Sequence, residues 1–199
     1  KDLGGASGTD SDVVIIKAGA SLNATDIKGF TATSATQNNS TDATKAVLNA
    51  IDGSNVTITV ASATGSSKAF KLVGGTGQDS LTGGAGADII LGNNANDPLK
   101  GNAGNDVLTG GAGDDELHGG NDNDTFNISA GSDTIKDLAT GDVVVITGGS
   151  VVAEDVVAFN ATSATKNTGG TFEIKAKSTG GDIDVSGADN TGTPGYTLT

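Results

Sequence analysis

The 199-residue chain has no cysteine, methionine, tryptophan or arginine, only two prolines and one histidine, and aromatics make up 3% of it. Without cysteine there is neither a disulfide staple nor a thiolate metal site. With so few aromatics and 35% apolar residues overall, a wide packed core is excluded. Too little proline is present for collagen or a stiff linker. No apolar run approaches the roughly 18 residues of a membrane span, and the residues from Lys1 onward do not read as a signal peptide; a segment taken from within something longer is expected. What is abundant is glycine, 32 residues, and acid, with 24 Asp and Glu against 11 Lys for a net charge of −13. That charge repels nucleic acid and anionic lipid and leaves cations as natural partners.

The glycines are placed, not scattered. From Gly74 the chain reads GGTGQDSLT, GGAGADIIL, GNNANDPLK, GNAGNDVLT, GGAGDDELH and GGNDNDTFN, followed by a weaker seventh unit, ISAGSDTIK, that ends at Lys136. All are nine residues long. The sixth place is always Asp: Asp79, Asp88, Asp97, Asp106, Asp115, Asp124 and Asp133. The eighth is always large and apolar: Leu81, Ile90, Leu99, Leu108, Leu117, Phe126 and Ile135. Glycine at places one, two and four suits positive φ in a tight turn, and the last three places suit a short strand with its middle residue inward. Successive turns then stack carboxylates, which repel unless a cation lies between them. Carboxylates with turn carbonyls form an oxygen-only cage, suited to Ca²⁺ and not to softer metals.

These units resemble GGxGxDxUx, the nonapeptide of the RTX, or haemolysin-type calcium-binding, family. The resemblance implies an all-β chain, a right-handed parallel β-roll with two nonapeptides per turn and calcium between turns two units apart. It implies ligands from the seven Asp side chains and from glycine-turn carbonyls, here Gly75, Gly77, Gly84, Gly86, Gly111 and Gly113. The stacked pairs become Asp79 with Asp97, Asp88 with Asp106, Asp97 with Asp115, Asp106 with Asp124, and Asp115 with Asp133. The third unit departs most, with Asn93 and Ala95 for glycine and Pro98 in the strand; the seventh keeps only Gly131. Asp137 and Asp142, just beyond, are placed to complete a terminal site but read rather as a solvated turn, and His118 as solvent-facing.

A second, longer repeat emerges when the flanks are compared. Asp12 to Asn38 resembles Asp142 to Asn167; FTATSATQN from Phe30 parallels FNATSATKN from Phe159. Ile58 aligns with Ile183, and Leu72 with Leu198. The expected domains are a β spacer at 1–73, the roll at 74–136 and a second copy of the spacer at 137–199. Alternation at Phe172-Ile174 and Val56-Ile58-Val60 reads as strand, and Asp52-Gly53 as a hairpin turn.

No GxGxxG, GxxxxGK or HExxH motif is present, and a single histidine supports no Ser-His-Asp set, so the chain is not expected to be an enzyme. The resemblance implies a calcium-dependent structural module of a secreted bacterial cell-surface protein, S-layer or adhesin-like, its partners being calcium ions and neighbouring copies. The alternative is the calcium-binding region that aids type I export and folding of a secreted RTX enzyme or toxin.

Overall fold

The computed structural model describes residues 15–16, 22–31, 37–38, 46–50, 52–61, 69–177, 183–188 and 196–199. The sequence matches at 1–14, 17–21 and 32–36 lie outside these residues. Among the described residues there is no helix, only 21 short strands. They are β1 (Ile15–Ile16), β2 (Leu22–Ile27), β3 (Phe30–Thr31), β4 (Gln37–Asn38), β5 (Ala46–Ala50), β6 (Thr57–Thr59) and β7 (Lys71–Val73). Then follow β8 (Ser80–Thr82), β9 (Ile89–Asn94), β10 (Pro98–Ala103), β11 (Val107–Ala112), β12 (Glu116–Asn121), β13 (Thr125–Ile128) and β14 (Ser132–Ile135). The last are β15 (Val143–Ile146), β16 (Ser150–Val156), β17 (Phe159–Asn160), β18 (Lys166–Asn167), β19 (Thr171–Ala176), β20 (Ile183–Asp184) and β21 (Tyr196–Leu198).

The fold is a parallel β-solenoid. Consecutive strands drop alternately into two long sheets, one ordered β18-β15-β13-β11-β9-β7-β5-β2 and the other β21-β19-β16-β14-β12-β10-β8-β6-β3. Between them runs the core that the eighth-place residues predict. One column reads Leu48, Leu72, Ile90, Leu108, Phe126, Val144, and the opposite one Phe30, Ile58, Leu81, Leu99, Leu117, Ile135, Ala153, Ile174. Every member is buried.

Both columns cross residues 74 and 136 without a break, and the 18-residue step itself runs on past 136, to Ile128↔Ile146 and Ile135↔Ala153. In the roll Leu72 pairs with Ile90 and Leu99 with Leu117, 18 positions on. In the flanks the step widens: Val145 pairs with Lys166 at 21, Leu48 with Leu72 at 24 and Phe30 with Ile58 at 28. The longer coil carries a third strand, seen as two small sheets, β1-β4 and β17-β20. The expected hairpin at Asp52-Gly53 does not form: β5 and β6 lie in different sheets, and Gly53, at φ 77, sits in the corner between them. Alternation of apolar residues fits a coil strand as well as a hairpin strand, and the 24-residue step lets each strand find a parallel partner instead.

The two flanks match ladder for ladder. The pair β1-β4 (Ile15↔Gln37) corresponds to β15-β18 (Val145↔Lys166). The series β2-β5-β7 (Ala24↔Leu48↔Leu72) corresponds to β16-β19-β21 (Ala153↔Ile174↔Leu198), and β3-β6 (Phe30↔Ile58) to β17-β20 (Phe159↔Ile183). Even the register shift recurs, between Ala24 and Ile27 in one copy and between Ala153 and Val156 in the other.

Candidate metal centres

The sixth-place aspartates stand where the chain turns into each strand. All seven are buried, none more than 2% exposed. They form two columns, with Asp79, Asp97, Asp115 and Asp133 ahead of one sheet and Asp88, Asp106 and Asp124 ahead of the other. Each column is a chain of hydrogen bonds in which a backbone N–H donates to Oδ1 of the aspartate 18 positions on. Asp79 donates to Asp97 (2.7 Å), Asp97 to Asp115 (2.8 Å) and Asp115 to Asp133 (3.0 Å). Alongside, Asp88 donates to Asp106 (2.7 Å) and Asp106 to Asp124 (2.9 Å).

The second column has a fourth member that the sequence reading placed in solvent. Asp142 is 3% exposed, and its Oδ1 accepts from the Asp124 N–H at 2.9 Å. Residues 137–145 are an eighth unit without the glycine signature; its signal was Asp142 at place six and Val144 at place eight. Asp137 is half-buried and accepts from the Gly119 N–H at 2.9 Å. Beyond, Val151 pairs with Asp133 and ends the other column in hydrocarbon. At the near end Val56 and Phe70 take the aspartate place and donate to Asp79 (2.7 Å) and Asp88 (2.6 Å).

Oδ2 divides the set. In Asp79 and Asp88 it accepts from Gly75 and Gly84, both at 2.6 Å, and in Asp142 from Ala139 at 2.8 Å. In Asp97, Asp106, Asp115, Asp124 and Asp133 it is buried with no hydrogen-bond partner. A buried carboxylate oxygen left unpaired costs more than almost any other polar defect. Burial, foremost, pushes Asp97, Asp124 and Asp133 up to about 7 and Asp106 to about 8, with neighbouring carboxylate charges adding to it against the lowering effect of the backbone donors. Asp88, without a carboxylate among its causes, rises only to about 6. Asp115 and Asp142 are also raised, by burial first.

The place-one glycines explain themselves differently from the expectation. None lies in the left-handed region. They are glycine because of crowding: a Cβ on Gly92 would strike Asp97 Oδ2 and the Gly110 carbonyl oxygen, and one on Gly101 would strike Asp106 Oδ2 and the Gly119 carbonyl. An acid oxygen and a backbone oxygen therefore face one small space beside Gly74, Gly83, Gly92 and Gly101. Positive φ belongs to places two and four from the third unit onward, at Gly104, Gly111, Gly113, Gly120 and Gly131 and also at Asn93, Ala95, Asn102 and Asp122. Gly75, Gly77, Gly84 and Gly86 do not adopt it. Of the glycine carbonyls singled out from sequence, that of Gly84 accepts from Ala103 (3.3 Å) and that of Gly111 from the Ser129 hydroxyl (3.3 Å). The third unit keeps the same turn because Asn tolerates positive φ and Ala95 bears the strain. Its strand begins at Pro98, which cannot make the bond that Glu116 makes to the Asp97 carbonyl one turn later.

His118 is half-exposed and pairs with Glu116 at 3.0 Å, on the surface of the stack. On the same face Lys136 binds Glu154 at 2.7 Å, one coil on.

Among the described residues no three acidic or imidazole side chains gather into a ready-made cluster. Any cation here must draw on backbone carbonyls as well as carboxylates, which is the donor set of a hard ion such as Ca²⁺. The profile of the RTX calcium-binding nonapeptide repeat (4 copies) matches residues 71–99, 91–126 and 100–135. Residues 71–135 are RTX calcium-binding repeats. Curated proteins and solved structures give no match to the chain. The RTX tract is thus a calcium-binding structural module by its repeat family, and the unpaired, buried Oδ2 atoms beside glycine carbonyls fit that ion. Among the described residues no helix is long and apolar enough to cross a membrane.

Proposed function

We propose that this chain is a calcium-dependent structural module of a secreted, repetitive bacterial cell-surface protein, S-layer or adhesin-like, and that it performs no catalysis. Its calcium is held by the acid columns, and its other partners are neighbouring copies of the same unit. Bound calcium supplies the positive charge that ten acidic groups against two lysines in residues 74–136 otherwise lack. The chain's own residues do the rest: glycines keep the oxygens close, the Asp backbone amides fix Oδ1, and the apolar columns exclude water. The carrying observation is the ladder-for-ladder identity of the two flanks, which is the grammar of an array in which spacer and roll alternate. A roll serving only the export of a neighbouring enzyme gives no reason for a repeated spacer.

With a Kd of about 0.1 mM per site and calcium at about 1 mM outside the cell, each site contributes roughly 1.4 kcal/mol. Several such sites together approach the whole stability of an ordinary domain, about 5–15 kcal/mol. Inside a cell the contribution vanishes. The test is circular dichroism of this chain during a calcium titration, joined to negative-stain microscopy of the full-length protein. Strand signal that grows with calcium, and ordered sheets or filaments that dissolve in chelator, are expected. Full strand content in excess chelator would defeat the calcium dependence, and a full-length protein with a catalytic domain and no further copies would defeat the surface role.

A further inference from the structure

The acid columns are not uniform along their length. Asp79 and Asp88 at the near end and Asp142 at the far end have both carboxylate oxygens occupied by backbone N–H groups, at 2.6 to 2.9 Å. The five aspartates between them have one oxygen occupied and one buried and bare. The backbone makes the difference. In the first two units the place-two N–H, from Gly75 or Gly84, folds back onto its own aspartate. In the next four units the place-two residue, Asn93, Asn102, Gly111 or Gly120, takes positive φ. The stretch around it joins the parallel ladder instead, as Asn93↔Gly111 and Asn102↔Gly120. The turn opens, and in these four units Oδ2 loses its donor; Asp133 is bare in a seventh unit whose second place, Ser129, keeps negative φ.

We infer that the metal load is confined to the five open aspartates, Asp97, Asp106, Asp115, Asp124 and Asp133, and that Asp79, Asp88 and Asp142 are metal-free caps that close the acid columns with backbone amides. Each open Oδ2 is the side-chain ligand of one site. For Asp97 and Asp106 the partnering oxygen is the carbonyl of Gly110 and Gly119 respectively, the group that shares the space beside the place-one glycine. Beside Gly74 and Gly83 the capped Asp79 and Asp88 Oδ2 atoms share the same kind of space with the Gly92 and Gly101 carbonyls, but there each Oδ2 already accepts a backbone N–H at 2.6 Å. The caps also protect the column ends. At the near ends a bare acid would expose its last charge to hydrocarbon at Val56 or Phe70, which the amide donors prevent; at the far end of the first column Asp133 meets Val151 without such a cap.

This inference rests on calcium binding by the roll and goes beyond it by assigning which acids take part. Native mass spectrometry of the whole chain at saturating calcium counts the ions. Five are expected in the unaltered chain, five again in Asp79→Asn and in Asp142→Asn, and fewer in Asp106→Asn. An ion lost from Asp79→Asn or Asp142→Asn, or more than five in the unaltered chain, overturns the assignment while leaving calcium binding intact. No calcium in the unaltered chain overturns both. Hydrogen exchange of the unaltered chain at the lowest calcium that still keeps it folded gives a reading that needs no variant. The amides of Gly75, Gly84, Val56 and Phe70, which donate to capped acids, are expected to exchange roughly tenfold more slowly than those of Asp79 and Asp88, which donate to open ones. Equal exchange in the two sets would sink the assignment.

Discussion

The roll and its flanks are the same solenoid built in two ways. In the flanks a coil of 21 to 28 residues carries three strands and places apolar side chains such as Val56, Phe70, Phe159 and Phe172 inside, with Phe159 and Phe172 packed edge to face at 6.3 Å. In the roll the coil shrinks to 18 residues and two strands, one apolar residue per strand remains, and the turn interior becomes a column of acid. A hydrocarbon coil is stable by what it excludes from water. An acid-lined coil must be neutralised from outside. The comparison teaches that coil length selects the mode of stabilisation: when the third strand is dropped, the room it filled goes to carboxylates and the ion they require.

The difference can be broken at several points. Replacing Phe126 in the roll or Phe172 in the flank by Ala should cost about 3–5 kcal/mol each, since both are fully buried. Denaturant melts in saturating calcium measure the cost, and a roll variant no less stable than the unaltered chain would show that its slim apolar column contributes nothing. Gly101→Ala should cost about 1–3 kcal/mol and weaken calcium binding, because its Cβ meets Asp106 Oδ2 and the Gly119 carbonyl. Gly53→Ala in a flank corner, where a Cβ meets nothing within 4 Å, carries only the cost of its positive φ and should leave calcium affinity unchanged.

The pH dependence follows from the raised aspartates. A carboxyl whose folded pKa lies near 7 or 8, against 3.8 in the unfolded chain, favours the folded state when protonated. That stability is fully present below about pH 4 and is lost as pH rises through 7 to 8. Without metal, the roll should therefore gain strand signal on moving from pH 8 to pH 5, and calcium affinity should rise over the same interval in the opposite direction. Metal-free dichroism that is flat between pH 5 and 8 would contradict both. The smallest effect is expected at Ala95, whose φ of 72 costs about 1 kcal/mol over glycine. Ala95→Gly should raise the melting midpoint slightly.

Much of this was legible in the sequence. The nine-residue phase gave the core column from Leu81 to Ile135 and the buried acids from Asp79 to Asp133, because a solenoid writes its three-dimensional contacts at a fixed distance along the chain. Self-comparison of the flanks located paired ladders, Ile58 with Ile183 and Leu72 with Leu198. Other features were hidden for physical reasons. Asp142 was missed since its unit keeps only the acid and the apolar place, and the turn glycines that mark the others are absent. That the flanks share both sheets with the roll was hidden because a solenoid coil of variable length has no period to detect. From Asp79 to Asp124 the division of the acids into capped and open follows the sign of φ at place two, and glycine permits either sign.

The matching flank ladders do not lie in matching sheets: β2-β5-β7 belongs to the eight-stranded sheet and β16-β19-β21 to the nine-stranded one. A face that leaves one roll as its second sheet thus enters the following spacer as the ladder from which a further roll would take its first. In a fibre assembled on this plan, each period would be rotated about the long axis by one face in three. In such a fibre the Lys136–Glu154 pair would recur once per period, each time on a different face.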